Sequence, residues 1–118
     1  MSEKRDPRIF LTDILTAADK IIRYNQEKNN SQNANTEKDL EAIIYNLLVL
    51  GEAARSIPED FRKKHPEVPW KRMVGMRDKL IHQYWGMQQI TIWQTIIQDI
   101  PDLRDKIKKI LDNYSNKQ

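Results

Sequence analysis

The stretch LEAIIYNLLVLGEAARSIP, residues 40–58, is strongly apolar and decides the fold. Its large apolar side chains recur at the three- and four-residue spacing of one helix face: Leu40, Ile43, Ile44, Leu47, Leu48 and Val49. This pattern predicts a helix apolar enough to lie at the centre of the fold. Gly51, Ala53 and Ala54 lack bulk, so a second helix can approach closely there, and Pro58 limits the length of the helix.

Helical spacing continues upstream of this stretch. Asp6 and Pro7 suit the N-cap and the first position of a helix, whose apolar stripe is Leu11, Ile14, Leu15, Ala18, Ile21 and Ile22. Residues 25–36, NQEKNNSQNANT, are polar and rich in asparagine, which predicts a mobile loop. Residues 36–39 resemble a capping box and mark the start of the central helix.

Downstream, residues 59–70 carry two prolines, which predict a short helical turn followed by an extended connection. A third long helix is expected from about Trp70 to Trp85, with Gly86 as its stop. The last apolar helical pattern is broken at Pro101. No strand-like alternation is visible. We therefore predict one all-α domain over residues 1–118, an antiparallel four-helix bundle with a broken last helix.

The composition excludes several kinds of site. The chain has no cysteine and two histidines, so a disulfide framework, a thiolate metal site or a cysteine nucleophile is excluded, and no metal or other cofactor is expected. No apolar run approaches a membrane span of about 20 residues, and no signal-peptide pattern begins the sequence, so the cytoplasm is the expected location. The net charge of +3 permits contact with a nucleic acid. On charge alone, however, the basic residues are better explained as ordinary solvated helix faces than as a nucleic-acid binding surface.

The segment MRDKLIHQYW, residues 76–85, groups Arg77, His82 and Tyr84 on the third helix. At about 100° per residue, Arg77 and Tyr84 lie within roughly 20° of one another, whereas His82 is displaced from Arg77 by about 140°. Leu80 and Ile81 between them are expected to face the core. The three polar residues therefore form one site only if the helix bends or ends near His82, or if a second chain completes the site. A capping or core-edge histidine is the simpler interpretation.

These residues resemble a known family. GMRDKLIHQYWGM at residues 75–87, NLLVLGEAARSIP at 46–58, VPW at 68–70 and IWQTIIQDIPDLRDKIKKIL at 92–111 are similar to the HepT toxins of the HEPN superfamily. In that family an arginine, four to six residues and a histidine, often followed one residue later by tyrosine, form the ribonuclease motif. Here the motif is Arg77, four residues, His82, Gln83 and Tyr84. The resemblance extends from Arg5 to about Tyr114.

The resemblance implies an all-helical homodimer whose two motif copies face one cleft, so that each chain supplies part of the site. It also implies a metal-independent endoribonuclease that is the toxin of a toxin–antitoxin pair. The antitoxin of such a pair is a minimal nucleotidyltransferase that transfers AMP onto the motif tyrosine, which corresponds to Tyr84. RNA is the implied substrate, Arg77 and His82 are the implied catalytic residues, and no membrane is involved.

The chemistry of RNA cleavage suits these residue types. An imidazole such as that of His82 can accept or donate the proton near neutral pH, and the planar fork of Arg77 can span two phosphate oxygens. Asp78 either orients one of them or is a solvated carboxylate. Tyr84 stacks on a base or contacts a phosphate, or else packs at the core edge.

Two other residues and two other functions stay open. Glu52 is either a solvated carboxylate, which its position favours, or the partner of an arginine. His65, before a proline in a polar stretch, is expected to be exposed and inert. The alternative functions are a non-catalytic nucleotide- or RNA-binding partner of a nucleotidyltransferase and a purely structural helical dimer.

Overall fold

The computed structural model describes residues 6–30, 36–83 and 98–116, and these residues form five helices without a strand. In chain order the helices are α1 (Pro7–Asn30), α2 (Thr36–Ser56), α3 (Glu59–Lys64), α4 (Trp70–Gln83) and α5 (Ile100–Asn116). α2 packs against α1 and α4, and α1 also packs against α5. The predicted all-α antiparallel bundle with a broken last helix is confirmed.

The start of α1 is capped as the sequence predicts. The Oδ1 atom of Asp6 accepts the backbone N–H of Arg8 at 2.9 Å, and the Asp6 carbonyl accepts the N–H of Ile9 at 3.0 Å. Pro7 occupies the first helical position, where its missing N–H costs nothing. The hydrogen bonds from the Arg8 side chain and from the Arg8 N–H hold the pKa of the Asp6 carboxyl below its usual range.

The asparagine-rich loop is shorter than predicted. α1 continues to Asn30, so the prediction of a loop over residues 25–30 is wrong. Gln26, Glu27 and Lys28 are good helix formers, and neither glycine nor proline interrupts this end of α1, so its polar composition does not stop the helix. Residues 31–35 lie outside the described residues, and the mobility of the loop stays a prediction. α2 begins at Thr36, as the sequence predicts.

The core lies where α2 meets its neighbours. The largest fully buried side chains come from α1, α2 and α5 and from Ile57, which directly follows α2. They are Leu11, Ile14, Ile21, Ile43, Leu47, Ile57, Leu103 and Ile107. Leu80 of α4 is buried as predicted, with 4% of its surface exposed, but Ile81 is 49% exposed. Adjacent helical residues point about 100° apart, so the orientation of α4 that buries Leu80 leaves Ile81 at the edge of the packed face. The prediction for Ile81 is wrong.

Proline and aromatic residues set the two connections to the last helices. Trp70 is buried, and its indole N–H donates to the His65 carbonyl at 2.9 Å, which fixes the extended connection between α3 and α4. A turn at Asp99 precedes α5, and Pro101 lies in the first turn of α5. Pro101 therefore breaks the last helical pattern as predicted, because proline is tolerated only at the start of a helix.

Candidate functional site

The candidate site begins at the closest approach of α2 and α4. A Cβ atom added to Gly51 of α2 would overlap the Cβ of Arg77 and would stand 2.9 Å from the carbonyl oxygen of Met73. Only glycine leaves room for α4 at this crossing. The sequence expectation that small residues of α2 admit a second helix is confirmed at Gly51, and the helix that they admit is the one carrying Arg77.

The guanidinium of Arg77 is held by two carboxylates. Its Nη2 lies 3.0 Å from Oε2 of Glu52, the residue after Gly51, and its Nη1 donates to Oδ1 of Asp78 at 2.8 Å. The Arg77 side chain is only 20% exposed, whereas those of Glu52 and Asp78 are 57% and 51% exposed. The aliphatic part of the Arg77 side chain is therefore packed against α2. Its guanidinium reaches the solvent-exposed edge of the α2–α4 crossing, where an anionic ligand can approach.

Glu52 has the role that the sequence disfavoured. Its position suggested a solvated carboxylate, yet it pairs with Arg77 across the crossing of α2 and α4. The sequence feature that could have revealed this contact is the position of Glu52 directly after Gly51. The sequence left open whether Asp78 orients Arg77 or His82. The structure shows a contact of Asp78 with Arg77 and none with His82.

His82 lies in the last turn of α4, and its side chain is exposed. This side chain forms no hydrogen bond or ion pair with any other described residue. α4 is a continuous helix from Trp70 to Gln83, so no break between Arg77 and His82 turns the two side chains toward each other. The five-residue separation leaves them about 140° apart around the axis and roughly 7.5 Å apart along it. One chain therefore does not bring the two predicted catalytic residues into one cluster.

Tyr84, the remaining predicted site residue, lies outside the described residues, as do Trp85 and Trp93. Its contacts with RNA and its role as an AMP acceptor stay predictions. Trp70, the tryptophan within the described ranges, is a core residue.

Apolar side chains are exposed near the predicted site. Ile81 precedes His82 and is 49% exposed, and Tyr45 on α2 is 66% exposed. An open groove of about 370 Å³ follows the α1–α2 seam and is lined by Phe10, Leu48 and Val49, with Glu52 at its edge. The carboxylate that holds Arg77 is thus shared between the α2–α4 crossing and this groove.

Two classes of feature are absent from the described parts of the chain. In residues 6–30, 36–83 and 98–116, no three His, Cys, Asp or Glu side chains converge in a way that could hold a metal ion. None of the helices in these ranges is long and apolar enough to cross a membrane.

Comparison with known proteins assigns the chain to a family. Residues 14–110 match the model of the family described as Ribonuclease HepT-like. The chain belongs to the HepT-like ribonuclease family. The match includes Gly51, Glu52, Arg77 and His82, so the geometry described above lies inside the family's domain. The resemblance to HepT proteins seen in the sequence is confirmed.

Individual relatives of this HepT-like chain cover nearly its whole length. A candidate RNase of Methanocaldococcus jannaschii is 40% identical over 114 residues, which are 97% of this chain and 98% of the relative. A protein of Thermococcus cleftensis named "Probable ribonuclease HepT" is 39% identical over 91% of this chain and 97% of the relative. A candidate RNase of Caldanaerobacter subterraneus is 37% identical over 91% and 96%. No solved structure matches the chain.

Proposed function

We propose that this chain is a metal-independent endoribonuclease, the toxin of a toxin–antitoxin pair that acts in the cytoplasm. The observation that carries the proposal is the guanidinium of Arg77, fixed by Glu52 and Asp78 at this solvent-exposed edge, five residues before the exposed imidazole of His82. Membership of the HepT-like ribonuclease family and the names of the relatives support RNA as the substrate.

The proposed reaction needs no group beyond these side chains and the RNA. The 2′-oxygen of a ribose forms a bond to the adjacent phosphorus while the bond from phosphorus to the 5′-oxygen breaks. The 2′-hydroxyl gives up its proton to a base, and an acid protonates the leaving 5′-oxygen. His82 can perform either proton transfer, which is worth about 10²–10⁴-fold in rate. Arg77 holds two phosphate oxygens and stabilises the charge of the transition state.

A homodimer would complete this site. Because Arg77 and His82 face different directions on one continuous α4, we propose that the two motif copies of a dimer face one cleft and each contribute part of the site. The exposed Ile81 beside His82 supports an interface there, because burying such a side chain against a partner removes apolar surface from water.

We also propose that a cognate minimal nucleotidyltransferase neutralises the toxin by transferring AMP to the hydroxyl of Tyr84. Tyr84 belongs to the same motif as Arg77 and His82, so an added AMP would place bulk and negative charge at the mouth of the site. Both the bulk and the charge would exclude RNA. Intact mass before and after incubation with the nucleotidyltransferase and ATP measures this step, and Tyr84→Phe should take up no AMP.

The test of the nuclease is incubation of the unmodified protein with cellular RNA in EDTA, beside His82→Ala. We expect the unaltered chain to leave 2′,3′-cyclic phosphate or 3′-phosphate ends, and His82→Ala to leave the RNA intact while still binding it. The proposal would be contradicted if a folded dimer whose Tyr84 carries no AMP did not cut the RNA. It would favour the non-catalytic nucleotide- or RNA-binding partner instead.

A further inference from the structure

A second polar concavity lies between α3 and α5, built from residues that take no part in the contacts of Arg77. Two adjoining cavities of about 270 and 440 Å³ share His65, Ile110 and Asn113. We call them together the basic groove, after the polar residues that line it: Lys64, His65, Lys106, Lys109, Asn113 and Tyr114. It joins two basic stretches that are more than forty residues apart in the sequence.

The charge of the basic groove is positive and partly uncompensated. Three lysines line it, against the carboxylate of Glu67, which lies 3.5 Å from Nδ1 of His65. Lys106 pairs with Asp102 at 2.8 Å. Lys64 and Lys109 pair with no carboxylate among the described residues. Two ammonium groups, one on each side of the groove, are therefore available to an anionic ligand.

Aromatic side chains line the basic groove, but Phe61 is only 9% exposed and Arg8 lies over the Tyr114 ring at 5.7 Å. The ring that remains open to the groove is that of His65, whose side chain is 28% exposed. The rings of Phe61 and Tyr114 are nearly parallel, with centroids 6.0 Å apart, and the His65 ring lies over Phe61 at 4.5 Å. Burial raises the pKa of the Tyr114 hydroxyl, so this ring carries no charge at neutral pH. The partly exposed His65 ring, near the two unpaired ammonium groups of the groove, suits a nucleotide, whose base stacks while its phosphate meets a cation. His65 is half-buried, so the expectation that it is exposed is wrong.

The basic groove is tied to the helix that carries the candidate site. The His65 carbonyl accepts the indole N–H of Trp70, which is the first residue of α4, and Trp70 contacts Phe61 edge-on at 6.5 Å. Arg77 lies seven residues further along α4, a rise of about 10.5 Å, and within roughly 20° of the direction of Trp70. A single polynucleotide is long enough to contact both places.

We propose that the basic groove binds the phosphate backbone of single-stranded RNA as a second contact for the substrate. The proposal rests on the proposed function for its source of RNA. An acidic protein segment would meet the same lysines, but it would not use the partly exposed His65 ring. A ring on which a base can stack favours RNA over a protein.

The test compares two pairs of lysines in the full-length chain. Lys64→Ala with Lys109→Ala removes the two unpaired ammonium groups of the basic groove. Lys63→Ala with Lys108→Ala is the matched control, because these neighbours change the net charge equally but pair with Glu59 and Asp112 and line neither cavity. Both pairs are placed in His82→Ala, and the affinity for a short fluorescein-labelled single-stranded RNA is measured by anisotropy over a series of salt concentrations.

We expect Lys64→Ala with Lys109→Ala, the groove pair, to weaken RNA binding severalfold. The steepness of log affinity against log salt should fall by about 1.4, since each single-strand phosphate contact contributes about 0.7. The control pair should keep the slope of its parent. Equal changes for the two pairs, or none, would overturn the proposal. So would unchanged RNA affinity with lost binding of polyglutamate, which would assign the groove to an acidic protein.

The two proposals fail in distinguishable ways. A chain with an intact His82 that cuts RNA equally well with and without Lys64 and Lys109, at limiting RNA and low salt, refutes the groove and leaves the nuclease standing. A chain that binds RNA through the groove but never cuts it refutes the nuclease alone.

Discussion

At the scale of single residues, Arg77 offers the sharpest prediction. Its fork meets two carboxylates at 3.0 and 2.8 Å and can meet two phosphate oxygens in the same way. A lysine ammonium is a point charge that cannot span both oxygens. We expect Arg77→Lys to slow RNA cleavage by about a hundredfold, the usual cost of one lost transition-state contact, with little change in Tm. Single-turnover cleavage kinetics and thermal unfolding measure the two effects.

Arg72 supplies the matched control for this change. It lies on the same helix and pairs with Asp99 at 2.8 Å, but its side chain is 71% exposed and its position is about 140° from Arg77 around the helix axis. Arg72→Lys should cleave RNA at the rate of the unaltered chain. A similar slowing in both variants would show that the fork of Arg77 has no special part in the reaction.

The sequence could name Arg77 and His82. It could not decide whether Glu52 and Asp78 pair with Arg77 or are solvated. The motif spacing identifies the pair, and helix geometry alone predicts that they diverge. The contact with Glu52 depends on the register between α2 and α4, which apolar periodicity leaves undetermined. Gly51 was the usable signal, because the smallest residue on an apolar helix face marks the closest approach of a partner, and its neighbour then meets that partner.

At the scale of helices, Gly51 and Gly75 should respond oppositely to the same substitution. Gly51→Ala gains up to about 1 kcal/mol of helix propensity, but its new Cβ overlaps Arg77 and presses on the backbone of Met73. We expect a net loss of about 1–3 kcal/mol in the free energy of unfolding, as for other overpacked sites. Chemical denaturation measures it.

Gly75→Ala is the internal comparison, because a Cβ there meets nothing within 4 Å. It should stabilise the protein by about 0.5–1 kcal/mol through helix propensity. A stabilised Gly51→Ala would mean that α2 and α4 are not packed as closely as described.

The first turn of α1 should make the stability depend on pH. Since the hydrogen bonds from Arg8 lower the pKa of Asp6 in the folded state, its ionised form stabilises the fold above the usual value of 3.8. This contribution is lost as the pH falls through the lowered folded-state pKa. We expect Asp6→Ala to have a lower Tm than the unaltered chain at neutral pH, and the difference to shrink in acid.

Asp6→Asn separates the cap from the charge. Asparagine caps helices about as well as aspartate but brings no charge to Arg8, so its Tm at neutral pH should lie between those of Asp6→Ala and the unaltered chain and should lack the acid-dependent loss. Melting curves over a pH series, recorded by circular dichroism, decide the matter. Identical pH profiles for Asp6→Asn and the unaltered chain would contradict the role of the Asp6 charge.

Helix positions were largely predictable because local signals set them. Asp6 with Pro7 predicts the start of α1, and Pro101 predicts the break before α5, since each acts through its own backbone. The end of α1 was missed because residues 25–30 contain no helix breaker, and polarity alone does not end a helix. The outward direction of Ile81 was missed because apolar character alone does not decide which of two adjacent residues, about 100° apart on a helix, faces the core.

At the scale of the whole molecule, the proposed homodimer can be tested through Ile81. This side chain is 49% exposed beside His82, and a charge there would have to be buried in an interface. We expect Ile81→Lys to make the protein monomeric in light scattering and to abolish cutting, with its thermal unfolding otherwise preserved.

Ile9→Lys introduces the same charge at an isoleucine that is 50% exposed near the start of α1. It should remain dimeric and active. A dimeric, active Ile81→Lys would refute an interface at this end of α4.

The carboxylates around Arg77 bear on how the protein behaves among the small anions of a cell. Glu52 and Asp78 belong to the same chain as the guanidinium, so they compete with any incoming phosphate as if they were present at a high fixed concentration. A free phosphate ion brings no second contact and loses this competition. A phosphate within a polymer that is already bound elsewhere arrives with its own effective concentration and can win it. We therefore expect these ion pairs to favour polymeric phosphate over free phosphate at Arg77.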